Sequence, residues 1–390
     1  MRIGFLVSHP IQYYSPWFRA LAKRVDLHVF YAHRPNPKQQ GEGFGHAFEW
    51  DTDLFSGYEH SFLVNCSPSP GTHHFSGCDT PEIATIIRES SFDVFVVFGW
   101  FLKSFWQAAR ACRRKGIPVL VRGDSILNTP RSPFHKAVKK IAYRAGLRRF
   151  DGFLSTGKRN AEYLKHYGVS PERIFFVPHF VDNNWFATRA AEARPRRQEI
   201  RRQWFADETT FILIFVGKLM PTKHPMDFLE AIRILEGEKA GVLAVFVGAG
   251  ELESELREFA EHHGIPVRFE GFRNQAELPE FYVGADALVL PSVGETWGLV
   301  VNEAMACGIP AIVSDAVGCA PDLVDEGSTG FTFSSGNAGA LARQIARANE
   351  LRKTGFDFQP HLKSKLARYS VETAVEGALA AFANVARSKP

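Results

Sequence analysis

Residues 287–308 read ALVLPSVGETWGLVVNEAMACG, and this stretch decides what kind of fold the chain adopts. Ala287–Leu290 is a short, wholly apolar run of strand length. Pro291 to Gly298 is a glycine-containing turn, and Leu299–Ala306 has the composition of a buried helix. An apolar strand that feeds a helix through a glycine turn is one unit of a parallel sheet covered on both faces. The free N–H groups at such a helix start, about Thr296–Val300, favour an anion. Two carboxylates, Glu295 and Glu303, flank that start. They would repel inorganic phosphate, but they suit a ligand with phosphates in its middle and hydroxyls at both ends, because carboxylates accept hydrogen bonds from sugar hydroxyls.

The same alternation extends in both directions. Upstream and downstream, Phe211–Val216, Val242–Val247, Val267–Phe269, Ala311–Val313 and Phe331–Phe333 are strand candidates, with helices such as Pro225–Leu235 and Leu252–His262 between them. A second series precedes it: Ile3–Val7, Leu27–Tyr31, Val94–Phe98, Val119–Val121, Phe153–Ser155 and Ile174–Val177. Tyr14–Lys23, Pro81–Glu89, Leu102–Lys115, Phe134–Arg148 and Asn160–Tyr167 are its helices, with Thr80 read as the cap before Pro81. The pattern stops at Pro178–Asn184, and a polar, arginine-rich stretch, Arg189–Arg202, follows. Two doubly wound α/β domains are expected, residues 1–180 and 190–370, and a C-terminal helix over 371–387 is expected to return to the first.

Composition excludes several classes. The 390 residues are 45% hydrophobic and 23% charged, as in globular chains, and no apolar run reaches the roughly 20 residues of a membrane span. The start MRIGFLVSHP reads as a first strand and not as a signal peptide. Five scattered cysteines form neither a disulfide framework nor a zinc site, so reduced thiols and a cytoplasmic location are expected. Residues 101–150 carry thirteen Lys and Arg against Asp124 alone. Within them the amphipathic run 134–149 could lie on the inner face of an anionic membrane, or be a solvated helix face. No nucleic-acid module accompanies the charge.

After Phe211–Val216 the loop Gly217-Lys218-Leu219-Met220-Pro221-Thr222-Lys223 presents a glycine at a strand exit and two lysines five apart, a spacing that can flank one polyanion. The segments GKLMPTKHPMDFLEA (217–231), VFVGAGELESEL (245–256) and 281–324 closely resemble the donor domain of retaining glycosyltransferase family 4, whose fold is GT-B: two Rossmann-like domains facing across a cleft. The resemblance spans about 211–333. It implies transfer of a sugar from a nucleotide-diphosphate sugar (UDP or GDP linked, for instance) to an acceptor hydroxyl, with retention and without metal or other cofactor. It matches Glu295 to the transferred sugar and Glu303 to the ribose. Gly217, Lys218, Lys223 and the amides of Thr296, Trp297, Gly298, Leu299 and Val300 fall to the diphosphate, and the backbone of Phe272 and Arg273 to the base. Lys218 stands where arginine is usual, and His224 where glycine is usual.

The first domain resembles the family more loosely. Ser8–Pro16 (SHPIQYYSP) looks like the first strand–helix loop of a bacterial subset and lacks the Gly-Gly of other members, which makes His9 a candidate catalytic residue or a plain turn residue. Asp124 lies at the strand exit where many relatives carry a histidine, and is either an active-site contact or a helix cap. The acceptor implied is a sugar or a lipid-linked chain, as in bacterial polysaccharide or glycolipid assembly. Pro178–Asp182 (PHFVD) resembles the family's interdomain segment and reads as structural. Asp51-Thr52-Asp53 has D-x-D spacing without a metal-site context, and Val247–Gly250 lacks the third glycine of a dinucleotide loop, Glu253 taking its place. Two other readings stay open: a nucleotide-sugar epimerase on the same scaffold, and a non-catalytic sugar-nucleotide-binding protein.

Overall fold

The computed structural model describes residues 1–127, 140, 142–237 and 241–387. The described chain separates into two compact units. The first comprises Met1–Asn36, Asp53–His179 and Val371–Pro390, and the second Pro37–Thr52 and Phe180–Ser370.

The first unit is built on seven parallel strands. These are β1 (Arg2–Val7), β2 (Asp26–Tyr31), β3 (Glu59–Phe62), β4 (Val94–Val97), β5 (Val119–Gly123), β6 (Gly152–Ser155) and β7 (Ile174–Phe176), in the order β3-β2-β1-β4-β5-β6-β7. The central β1 and β4 are fully buried along most of their length, which is why they read as continuous apolar runs. The edge strand β3, Glu-His-Ser-Phe, has no apolar run and no fully buried residue, and the sequence pattern misses it. The C-terminal helix Val371–Arg387 packs on the helix Ser15–Ala22 and on β7. Gly377 makes the second contact possible, since a Cβ there would lie 2.1 Å from the carbonyl oxygen of Phe176.

The second unit carries six parallel strands: β8 (Phe211–Val216), β9 (Val242–Val247), β10 (Val267–Phe269), β11 (Ala287–Leu290), β12 (Ala311–Ser314) and β13 (Gly330–Phe333), in the order β10-β9-β8-β11-β12-β13. The helices Pro225–Glu236, Glu253–His263 and Leu299–Ala306 follow β8, β9 and β11.

Two sequence expectations, on Thr80 and on residues 37–52, need correction. The arginine-rich stretch forms the helices Asn183–Ala193 and Arg197–Gln203, and several of its arginines pair within the second unit. Arg201 is fully buried, and both it and Arg197 pair with Asp286, at 3.1 and 2.6 Å. Thr80 does not cap a helix. That helix starts at Ile83, and the Thr80 hydroxyl donates to Ser104 Oγ instead. Residues 37–52, assigned by sequence to the first domain, pack with the second unit. Of the expected helix Phe134–Arg148, and so of the run 134–149, residues 134–139 and 141 lie outside the described residues.

Candidate functional site

In the second sheet the strand order reverses between β8 and β11, so the loops after these two adjacent strands diverge at their carboxyl ends. That is where open α/β sheets bind ligands. The loops are Gly217–His224 and Pro291–Gly298, joined by Val293 N donating to Thr222 O at 3.1 Å. Lys223 Nζ donates to Glu295 Oε2 across them, and both side chains are partly buried, 26% and 17% exposed. Lys218 Nζ donates to the carbonyl of Glu42 at 2.5 Å and lies 4.9 Å from the centre of the Phe44 ring. Burial lowers its pKa first, and the Lys223 cation adds to the effect, while Glu42 opposes it.

The glycines here serve close backbone approach. Gly248 has φ +140°, and a Cβ on it would fall 1.9 Å from Gly217 O. Leu219 N donates to Ala249 O and Leu252 N to Leu219 O, both at 3.0 Å, so the turn after β9 is laced to the loop after β8. Gly248 N donates to Gly271 O at 2.8 Å, which ties in the loop after β10.

The helix Leu299–Ala306 begins after Gly298 (φ +99°) with no side-chain cap; Val301 N donates back to Gly298 O at 2.9 Å, and the N–H groups of Leu299 and Val300 precede it at the helix start. Its approach loop is held from behind: Gly318 N donates to Glu295 O and Cys319 N to Trp297 O, both at 3.0 Å. Trp297 is itself buried, with Nε1 donating to Asn302 Oδ1 at 2.9 Å, so its side chain braces the loop. Glu303 is 0% exposed and accepts from the Tyr282 hydroxyl at 2.7 Å. The two carboxylates of the E-x7-E pair therefore differ: Glu295 lies in the loop beside Lys223, and Glu303 is sealed between two helices. Phe272 and Arg273 follow β10. Arg273 reaches Glu270 and Glu277 at 3.4 and 3.3 Å, and the Phe272 ring meets those of Phe44, His46 and Phe48 at 4.9, 4.5 and 4.5 Å.

These last contacts were missed by sequence reasoning. Aromatic rings at every second position, Phe44, His46, Phe48 and Trp50, were the available signal. Tyr282 and Gly318 carried no motif.

In the first unit the reversal lies between β1 and β4. His9 follows β1, with Nδ1 3.0 Å from Ser8 Oγ. Burial lowers its pKa to about 4, helped by His33 and His73. Asp124 follows β5. Two residues earlier Arg122 is buried, donates to Val177 O and Pro178 O at 2.7 and 3.0 Å, and lies over the rings of Trp17 and Tyr14. Asp124 acts electrostatically on both Arg122 and Tyr14. Asp182 caps the helix Asn183–Ala193 by accepting from Trp185 N at 2.9 Å. Asp51 accepts from Ala276 N, and Asp53 closes the turn to Phe55 and Ser56, so each carboxylate of the D-x-D stretch has a structural partner. Among the described residues no cluster of three or more His, Cys, Asp or Glu is arranged to hold a metal. No described helix is long and apolar enough to cross a membrane.

Comparison with known proteins adds to this geometry. Residues 196–361 match the model for "Glycosyl transferases group 1", and residues 17–185 match that for "Glycosyltransferase Family 4". Among curated proteins, the D-inositol 3-phosphate glycosyltransferase of Thermomonospora curvata is 29% identical over 231 residues, 56% of this chain and 52% of its own. That of Actinosynnema mirum is 32% identical over 228 residues, 52% and 53% of the two chains. The chain spans about half the length of these relatives. A solved glycosyltransferase from Rickettsia africae aligns with a TM-score of 0.75 at 13% identity, covering 99% of both chains. Anabaena HepE in complex with UDP aligns at 0.71 and 19%, covering 98% of this chain and 100% of that one. At such identities the likeness shows the fold, which is GT-B.

Proposed function

Because the chain belongs to glycosyltransferase family 4, we propose that it transfers a sugar from a nucleotide-diphosphate sugar to an acceptor hydroxyl. The observation that carries this reading is the placement of Lys218, the Lys223–Glu295 pair and an uncapped helix start on loops at the reversal of one sheet. UDP is bound by HepE, whose complex has the same fold, and a pyrophosphate of that kind suits two ammonium groups and a helix N-terminus.

In the proposed reaction the bond from the sugar's anomeric carbon to the diphosphate oxygen breaks, and a bond to the acceptor oxygen forms. The acceptor's proton passes to an oxygen of the departing diphosphate. Lys218, Lys223 and the amides of Trp297–Val300 stabilise the charge that develops on that diphosphate. Glu295 positions the sugar through its hydroxyls. Retention at the anomeric carbon and activity without a metal are part of the proposal. Glu303 is proposed to meet the ribose, and given its burial it does so only by sharing the Tyr282 bond or exchanging it. On the first unit, His9 and Asp124 are proposed as polar contacts for the acceptor, a sugar or lipid-linked chain.

The test is calorimetric binding of UDP, GDP and ADP, with EDTA present, to the wild type and to Lys223→Ala. One nucleotide is expected to bind, and the substitution to weaken it about tenfold or more, or 1.4 kcal/mol. Sugar transfer from the matching donor is expected to fall by about 10²–10³. A folded wild type that binds none of the three would remove the reading.

A further inference from the structure

The segment between β2 and β3 leaves the first sheet, and its residues 37–52 pack with the second unit. Its centre lies on the residues to which the donor is assigned. Glu42 O accepts from Lys218 Nζ at 2.5 Å, and the Phe44 ring sits 4.9 Å from the same ammonium. Gly43 between them has φ +84°, and a Cβ there would come within 2.9 Å of Lys218 Cδ and 3.1 Å of Nζ. The strap is therefore fitted against the lysine, and its positive φ at Gly43 favours glycine.

Two further anchors fix it. Phe44, His46 and Phe48 close over the Phe272 ring. Asn274 Nδ2 donates to Glu49 O at 2.8 Å, and Ala276 N to the Asp51 carboxylate at 3.1 Å. The first anchor covers the residue assigned to the base, while the lysine contact engages one assigned to the diphosphate. The anchors are not deep. Glu42, Gly43, Gly45 and His46 are exposed, and Phe44 and Phe48 are only partly buried. A carbonyl oxygen and an aromatic face are weaker partners for an ammonium than a doubly charged diphosphate.

We propose that residues 41–49 form a strap that holds Lys218 in the donor's absence and yields it to the diphosphate of the incoming nucleotide. The strap contacts compete with the donor, so apparent affinity is reduced by the fraction of molecules in which the strap is closed. The proposal rests on the reading of Gly217–His224 as the diphosphate loop.

The test measures UDP, GDP and ADP binding to the wild type, Phe44→Ala, Gly43→Ala and Lys218→Ala. Phe44→Ala removes the ring from the ammonium, and Gly43→Ala strains the strap's left-handed backbone angle and crowds the Lys218 side chain. Both are expected to tighten binding of the cognate nucleotide, by about three- to tenfold, and Lys218→Ala to weaken it. In hydrogen exchange, a peptide covering 41–49 is expected to exchange faster when nucleotide is bound. If nucleotide binds but Phe44→Ala and Gly43→Ala leave affinity unchanged or weaken it, or if 41–49 becomes more protected, the strap is part of the site wall and the proposal is overturned alone. If no nucleotide binds any of the four proteins, the donor reading fails, and the strap's competition with it.

Discussion

Glu295 and Lys223 form an ion pair across the two loops in a partly buried setting. A donor would enter that pair, its hydroxyls going to the carboxylate and its phosphates to the ammonium. The neighbouring His224 shows what the loop demands of its backbone. It sits at φ +49° and ψ +46°, and it precedes Pro225, a context that already disfavours helical angles. Left-handed angles cost an ordinary residue about 1–2 kcal/mol, which gives a physical reason for the glycine that the family resemblance implies at this position. Its imidazole recovers part of the cost through Asp227, 3.2 Å from Nδ1 at the start of the following helix. His224→Gly is expected to leave the unfolding free energy unchanged or raise it by up to about 1 kcal/mol, and His224→Val to lower it by about 1–2 kcal/mol. Urea titrations decide this. Equal losses in the two variants would assign the effect to the Asp227 contact and not to the backbone.

At the scale of elements, the loop Pro291–Gly298 gets its shape from the loop after β12. Gly318 runs so close beneath it that a Cβ would sit 1.8 Å from Thr296 O, and backbone cannot yield as a flexible side chain can. Gly318→Ala is therefore expected to lift Thr296–Gly298 away from the helix start. Nucleotide binding should fall about tenfold or more while the far-ultraviolet circular dichroism stays native; unchanged affinity would show that the loop absorbs the methyl. This dependence also marks what was legible in the sequence and what was not. The buried strands announce themselves because a parallel sheet covered on both faces needs unbroken apolar runs, and β8, β9, β11 and β12 lie where those runs are. Strand β3 does not, because an edge strand with no fully buried residue needs no such run. Lys218, Lys223 and Glu295 were legible as polar residues at strand exits. The burial of Glu303 was not, since its partner Tyr282 lies 21 residues away on another helix. Nor was the strap, whose contacts with Lys218 and Phe272 span more than 170 residues of chain.

At the scale of the molecule, the acid response divides between groups that act in different pH ranges. His9, His28 and His179 all lie in the first unit, and burial is the leading cause of a lowered pKa in each. In the unfolded chain a histidine titrates near 6.5. Above that value both states are neutral there and these groups contribute no pH dependence. Below it the unfolded chain takes up protons that the folded one refuses, so stability falls with pH until the folded group titrates, about 4 for His9. Depressed carboxylates act lower: Asp79, held down mainly by Lys103, stabilises the fold above the unfolded carboxylate range and loses that contribution as pH falls through its own lower value. Between pH 7.5 and 5 the histidines therefore govern the slope. The wild type is expected to lose stability over this range, with His9 contributing on the order of 1–2 kcal/mol. His9→Asn and His179→Gln are each expected to flatten the slope, whatever they do to stability at pH 7.5. Urea unfolding at pH 7.5, 6 and 5 measures it directly. Parallel curves for wild type and both variants would mean that these imidazoles accept protons in the folded protein as readily as in the unfolded one, and that their burial does not exclude charge.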